Sequence, residues 1–229
     1  MDGLVRAWVD GWVVSRGAAP PVREPWGFTV DVGQINQVSR HVFEALGDDV
    51  PEGAVRKVAD GVTGAGVCLK VFQNPAVVGG WLGDGWWINP EPGYLMTVPL
   101  TPGHARAEAS EAPEIPAGYR MRGWSVGGVR RLLVAAPDGS LAARGQVALS
   151  DAGAKAGTEA VFDQIETAPA HQRRGLGSLV MRTLQATAAA EGARTGVLAG
   201  TPAGRALYET LGWHVAAMLT NAKFTGAGD

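Results

Sequence analysis

The sequence predicts an α/β protein built as two lobes, and three observations carry that expectation. Short β-runs bounded by turn residues alternate along the 229 residues with stretches of helical apolar period. A segment rich in Pro, Ala and charge but without apolar period, TPGHARAEASEAPEIPA (101–117), reads as a linker; residues 1–105 would then form one lobe, 106–117 the joint and 118–229 the other. Between Val161 and Trp213, a β-run, a turn at Pro169, a Gly-containing loop and an amphipathic helix follow one another, an order that puts the loop at a helix N-terminus.

Composition narrows the partners. A hydrophobic share of 46% supports a packed core. Twenty basic against 22 acidic residues, with a pI near 6.1, give no broad field for nucleic acid or a membrane surface. Asp2, Arg6 and Asp10 interrupt the apolar N-terminus, which lacks the charge order of a signal peptide, and no apolar run is long enough to span a bilayer. The expected location is the cytoplasm. The single cysteine, Cys68, forms no internal disulfide and sits in the apolar run VCLKVF, where it reads as a structural thiol.

In chain order, Leu4, Val5, Trp8, Val9 and Trp12 recur at helical spacing, and the helix ends near Gly17. GFTVDV reads as a strand. Gln34 to Leu46 places Ile35, Val38, Val42, Phe43 and Leu46 on one helical face, and a further helix is expected from Pro51 to Val62, with Pro51 in its first turn. GVCLKVF and AVVGGWL read as a hairpin turning at Gln73–Pro75, with WWIN and YLMTVPL as two more strands. Beyond the linker, YRMRGW is a strand, and RRLLVAAPDGSLAARGQVAL is a hairpin turning at Pro137-Asp138-Gly139, where Pro presets φ and Gly accepts positive φ. Asp151–Gly157 is a polar loop leading to the strand at Val161. Leu176, Leu179, Val180, Thr183, Leu184 and Thr187 form the stripe of the next helix. GVLAG is a buried strand, and a last short helix has Thr201 as N-cap, Pro202 at N1, Leu207 and Leu211 on one face and Gly212 at its C-terminal stop.

The loop before the Leu176 helix is QRRGLG. Helix N-termini present unpaired N–H groups and the positive end of the helix dipole, so this loop suits a phosphate or pyrophosphate. Gly175 and Gly177 allow close backbone approach, and Arg173 and Arg174 add charge. Phe162 and Ile165 are three apart rather than two, which predicts a β-bulge in the preceding strand. His41, His104 and His214 have no ligand spacing, so no metal site is expected. His171 precedes the loop, either near a bound cofactor or as a plain turn residue. Trp81, Trp86 and Trp87 cluster and fit either an acceptor pocket or core.

Gln172-Arg173-Arg174-Gly175-Leu176-Gly177, with Pro169 ahead of it and ALYETLGW (206–213) after it, resembles the Q/R-x-x-G-x-G/A signature and the helix-to-strand segment of the GNAT acyltransferase superfamily. The resemblance covers about residues 118 to 224. It implies a GNAT-type mixed, mostly antiparallel sheet flanked by helices, splayed between two central strands to bind acetyl-CoA or another acyl-CoA. Cofactor contacts are then expected from Ile165, Glu166 and Thr167, from Gln172, Arg173, Arg174, Gly175, Leu176, Gly177 and Ser178, and from Thr201 and Tyr208. Tyr208 occupies the place of the family's general-acid tyrosine. Asp163 and Glu166 are the candidate bases, Glu166 ahead because it flanks the acyl-binding backbone. One departure stands out: the family places two helices between its first two strands, whereas here only SVGG (125–128) separates them. Residues 27–100 would supply a strand, two helices, a hairpin and more strands in the family's order, so the N-terminal half reads as a degenerate GNAT-like lobe whose helices replace the missing wall.

The expected activity is acyl transfer from acyl-CoA to the primary amine of a small molecule in a ternary complex, by a monomer or homodimer. A non-catalytic acyl-CoA sensor and a protein N-acetyltransferase are the alternatives.

Overall fold

The computed structural model describes residues 3–101, 114–149 and 159–226. Residues 106–113 of the expected linker, His104 and the expected loop Asp151–Gly157 lie outside the described residues. The chain forms two compact units, one of residues 1–96, 199–205 and 215–229, the other of residues 97–198 and 206–214.

In the first unit, helix α1 (Leu4–Arg16) buries Val5, Trp8, Val9 and Trp12 and stops where Gly17 takes a left-handed conformation. The Gly17 and Ala18 N–H groups then bond the carbonyls of Val14 and Val13, closing the helix. Strands β1 (Val22–Glu24), β2 (Gly27–Gln34) and β3 (Gln37–Leu46) form an antiparallel meander; β4 (Val67–Phe72) lies parallel to β3. The C-terminal strand β12 (His214–Phe224) pairs antiparallel with β4 and with the short β5 (Trp86–Ile88). Helices α2 (Glu52–Asp60) and α3 (Pro75–Gly79) follow β3 and β4, and their Val55 and Val78 join Phe43, Leu69 and Val71 in one core. Strand β6 (Gly93–Pro99) has Leu95 and Met96 fully buried. Cys68 is buried, as a structural thiol should be.

Two expectations fail here, for separable reasons. Gln37–Leu46 is a strand rather than part of a helix: β2 and β3 are joined by the two residues Ile35 and Asn36, and β3 is held by β2 on one side and β4 on the other. The apolar stripe that suggested a helix is not a buried face, since Ile35 is 97% exposed, and β-branched Val38 and Val42 suit a paired strand. The supposed hairpin at Gln73–Pro75 is a helix start. Asn74 Oδ1 accepts the Ala76 N–H at 2.9 Å and Pro75 takes the first helical position, so the cap chemistry outweighs the β-propensity of Val77 and Val78. Of the two helices expected in the 27–100 stretch, α2 is present and the other is β3.

In the second unit the sheet runs β11-β10-β9-β8-β7. Strands β7 (Arg120–Val126), β8 (Val129–Ala135), β9 (Leu141–Leu149) and β10 (Glu159–Thr167) are successively antiparallel, whereas β11 (Thr195–Gly200) is parallel to β10. The β7–β8 turn is Gly127-Gly128, both at positive φ (55° and 78°), a two-residue connection with no room for intervening helices. The Asp138 carboxylate fixes the β8–β9 turn by accepting the Ser140 N–H and hydroxyl at 2.9 and 2.7 Å. Helix α4 (Leu176–Ala190) buries Leu176, Leu179, Val180 and Leu184 and closes over one face of the sheet. The fit is tight at Gly145, where a Cβ would stand 2.6 Å from Val180 and 2.7 Å from Ile165. Helix α5 (Pro202–Thr210) follows β11.

Candidate functional site

Strand β10 carries the first feature. Its pairing with β9 shifts register between Asp163 and Glu166, and Gln164 sits at φ 54°, so the bulge predicted from the Phe162–Ile165 spacing is present. On its other edge β10 pairs with β11 at three positions, ending at Val161↔Val197. Beyond that point the two strands part, and among the described residues the β10 backbone from Phe162 to Thr167 has no strand partner on this side. The expected cofactor contacts Ile165, Glu166 and Thr167 lie on this open stretch.

The loop follows directly. Pro169–His171 makes a single 3-10 turn, and the Gln172 side chain donates to the Thr167 carbonyl at 3.3 Å, tying the loop back to the end of β10. Arg173 (φ 61°) and Gly175 (φ 77°) both hold positive φ, the alternation that turns successive N–H groups into a concave anion nest. The N-cap of α4 is Gly175, which has no side chain to satisfy the first-turn donors. The N–H groups of Leu176, Gly177 and Ser178 thus have no intrahelical acceptor and remain available to an anion. Arg174 is held in place: its Nη1 donates to the Tyr119 hydroxyl at 3.0 Å, and that hydroxyl lies 3.0 Å from His171 Nδ1. With the phenol donating to Nδ1, the Tyr119 oxygen both accepts from Arg174 and donates to His171. His171 is therefore a brace of the loop. Tyr119 escaped the sequence reading because it lies 55 residues from Arg174 with no motif around it.

Helix α5 presents Tyr208. Its C-terminus closes when Gly212 (φ 83°) lets the Gly212 and Trp213 N–H groups bond the carbonyls of Glu209 and Tyr208. That closure folds Trp213 back, its ring centroid 6.1 Å from Tyr208 and edge-on to Phe162 of β10 at 5.1 Å. Gly196 makes space for the cluster, since a Cβ there would stand 2.8–3.0 Å from Val98, Trp213 and Phe162. Tyr208 is 7% exposed. Burial pushes its phenol up to about 12, and the charge of Asp163 adds to the shift. The phenol is a persistent proton donor at any ordinary pH.

The two candidate bases separate. Glu166 is exposed and forms an ion pair with Arg144, whose Nε and Nη2 donate to Oε2 at 2.8 and 2.7 Å. Asp163 is half-buried and is the carboxylate whose charge Tyr208 feels. Asp163 thus adds its charge at the Tyr208 phenol, whereas Glu166 is engaged by Arg144. Thr201 caps its own helix, accepting the Gly204 N–H at 3.2 Å, and belongs to the first compact unit. Trp81 and Trp86 pack on the first unit's core, while Trp87 is 52% exposed. Among the described residues no three His, Cys, Asp or Glu side chains are placed to hold a metal ion, and no helix is long and apolar enough to cross a membrane.

Residues 103–213 match the sequence model of the Acetyltransferase (GNAT) family. No curated protein sequence matches the chain. Among solved structures, a GCN5-related N-acetyltransferase from Kribbella flavida is similar over 98% of this chain and 96% of its own, with 17% identity and a TM-score of 0.62. A GCN5-related N-acetyltransferase-like protein from Streptococcus suis is similar over 88% and 84%, at 14% identity and TM-score 0.55. A tandem GNAT protein from the clavulanic acid biosynthesis pathway is similar over 71% and 65%, at 16% identity and TM-score 0.51. These likenesses are of fold, and the first two extend over both halves of the chain.

Proposed function

We propose, from the premise that residues 103–213 belong to the acetyltransferase (GNAT) family, that the protein transfers an acyl group, most simply acetyl, from acyl-CoA to the primary amine of a small molecule. The observation that carries this reading is the junction of β10 and α4: an unpaired strand edge beyond Val161 leads into a basic nest at an uncapped helix N-terminus. The edge fits an extended amide-bearing arm and the nest fits a pyrophosphate.

Acyl-CoA would supply the activated acyl carbon and a thiolate leaving group. The transfer forms one N–C bond and breaks one C–S bond, the nitrogen losing a proton and the sulfur gaining one. A backbone N–H of the Ile165–Thr167 segment polarises the thioester carbonyl, a preorganised contribution of about 3 kcal/mol. Asp163 accepts the proton of the amine, directly or through water. Tyr208 donates a hydrogen bond to the departing sulfur. With the phenol at about 12 and a thiol at roughly 8.5, leaving a free phenolate behind would cost roughly 5 kcal/mol, so the phenol shares its proton with the thiolate while the proton lost by nitrogen completes the balance. Attack occurs in a ternary complex, since the single cysteine, Cys68, is buried and unsuited to carry the acyl group.

Release of free CoA thiol from acetyl-CoA across an amine panel tests the proposal. Amine-dependent release is expected. Saturable acetyl-CoA binding with no release for any amine would identify a non-catalytic acyl-CoA-binding module instead.

A further inference from the structure

The face of the second unit's sheet opposite α4 contains a cavity of about 330 Å³ lined by Trp124, Arg131, Leu133, Arg144, Gln146 and Gln164 among others. Its position follows from register. Residues directly opposed on antiparallel strands project to the same face, and the pairs Trp124↔Arg131, Arg131↔Gln146 and Gln146↔Asp163 form one continuous row across β7, β8, β9 and β10. Gly145, one position along, faces α4, so this row faces away from it. The row begins at an aromatic side chain 39% exposed and ends at Asp163, the carboxylate whose charge raises the Tyr208 phenol.

The charges of the cavity are unequal. Arg144 is neutralised by Glu166. Arg131 Nε is buried and has no hydrogen-bond partner among the described residues. A buried donor on a charged group costs free energy until something accepts from it, and a guanidinium fork matches a carboxylate in a bidentate pair. Trp124 stands opposite Arg131 on the neighbouring strand, and Gln164, the bulged residue of β10, closes the cavity toward the reacting strand.

We propose that this cavity is the acceptor site and that it takes an amine which also carries a carboxylate, the carboxylate on Arg131, the carbon skeleton along Trp124 and the amine toward Asp163. The assignment rests on the transferase reading above and adds the acceptor's class to it. Arg131 and Asp163 are two strand spacings apart, roughly 10 Å between backbones, so an acceptor with several bonds between its two ends spans the row best.

The test compares glycine, 4-aminobutyrate and 6-aminohexanoate with their primary amides as acceptors, for the wild-type chain and for Arg131→Gln and Arg131→Lys. The wild type should prefer each acid over its amide by at least tenfold in kcat/KM, most strongly for 6-aminohexanoate. Arg131→Gln should raise KM for the acids by 10–100-fold with the amides unchanged, and Arg131→Lys should restore part of the preference. A wild-type preference for amides, or an equal loss of acids and amides in Arg131→Gln at unchanged melting temperature, overturns the assignment. Direct titration of 6-aminohexanoate, followed by the Trp124 indole N–H resonance, separates the two readings. Binding lost in Arg131→Gln without any turnover would sustain the carboxylate site and remove the transferase. Absence of both binding and acid preference would remove the site alone if the amides still turn over.

Discussion

Two segments of this chain have the same order of parts and opposite chemistry. In the first unit β3, a 3-10 turn, α2, β4 and α3 follow one another; in the second, β10, a 3-10 turn, α4, β11 and α5 do the same. Each pair of strands is parallel. The β3–β4 pair shifts register between Val42 and Leu46 but pairs again at Leu46↔Phe72, whereas β10–β11 pairing ends after three positions, at Val161↔Val197. The turn before α2 carries Asp48 and Asp49, with Glu52 in the first helical turn; the loop before α4 carries Arg173 and Arg174. Carboxylates at a helix N-terminus satisfy its dipole from within the chain, so a diphosphate approaching α2 meets like charge and a strand pair that resumes at Leu46↔Phe72. The strand–turn–helix frame is common to both segments. Parting of the strands and the sign of the loop's charge are what set apart the junction proposed to hold a pyrophosphate.

The largest effect should come from reversing that sign. Arg173→Glu with Arg174→Glu should weaken acetyl-CoA binding about a thousand-fold, the loss of two charge-assisted contacts of roughly 1.5–3 kcal/mol each. Asp48→Asn with Asp49→Asn should change it less than about twofold, and equal losses from both pairs, measured by calorimetry, would break the comparison. Next in size, Tyr208→Phe should slow turnover roughly a hundred-fold, within the range of a lost acid–base contact, while leaving the acetyl-CoA dissociation constant nearly unchanged. A parallel loss of binding and turnover would make Tyr208 a packing residue. Smaller again, Asp163→Asn should lower kcat/KM about tenfold with the acetyl-CoA dissociation constant unchanged. Glu166→Gln breaks only an exposed ion pair, worth about 0–1 kcal/mol, and should change kcat/KM less than about twofold. The opposite ranking would restore Glu166 as base.

A separate effect is one of stability in the first unit. Lys70 on β4, paired with Val42 on β3, has its ammonium enclosed and donating to Asn221 Oδ1. Burial, with the charge of Arg40 adding to it, lowers its pKa from 10.5 to about 7. Between those values the unfolded chain holds a proton there that the folded chain does not, so folding stability should rise as pH climbs from about 7 toward 10. Urea midpoints across that range check it, and Lys70→Met should flatten the slope.

Most of the second unit was legible because its signals are local. Pro137-Asp138-Gly139, the Phe162–Ile165 spacing, QRRGLG and the Thr201-Pro202…Gly212 frame each determine backbone geometry within a few residues. The first unit misled where pairing with distant residues decides the outcome, as at β3, whose apolar spacing fits a helix until β2 and β4 flank it. At Asn74-Pro75 the deciding signal is local, a cap followed by Pro at N1, but it stands beside an apolar run that by itself reads as a strand. At the site, Tyr119 and Arg131 were illegible for the same reason as β3: each acquires its role from strands brought together by register. The proposal of Asp163 rather than Glu166 as base likewise rests on Arg144, which lies 22 residues from Glu166 and on the neighbouring strand.

One titration tests the contrast between the two segments most directly: the stoichiometry of acetyl-CoA binding to the intact chain. A single site per chain, abolished by Arg173→Glu with Arg174→Glu, is the expected result. Two sites per chain, or one site that survives those substitutions, would contradict the claim that only the β10–α4 junction is built to hold the cofactor.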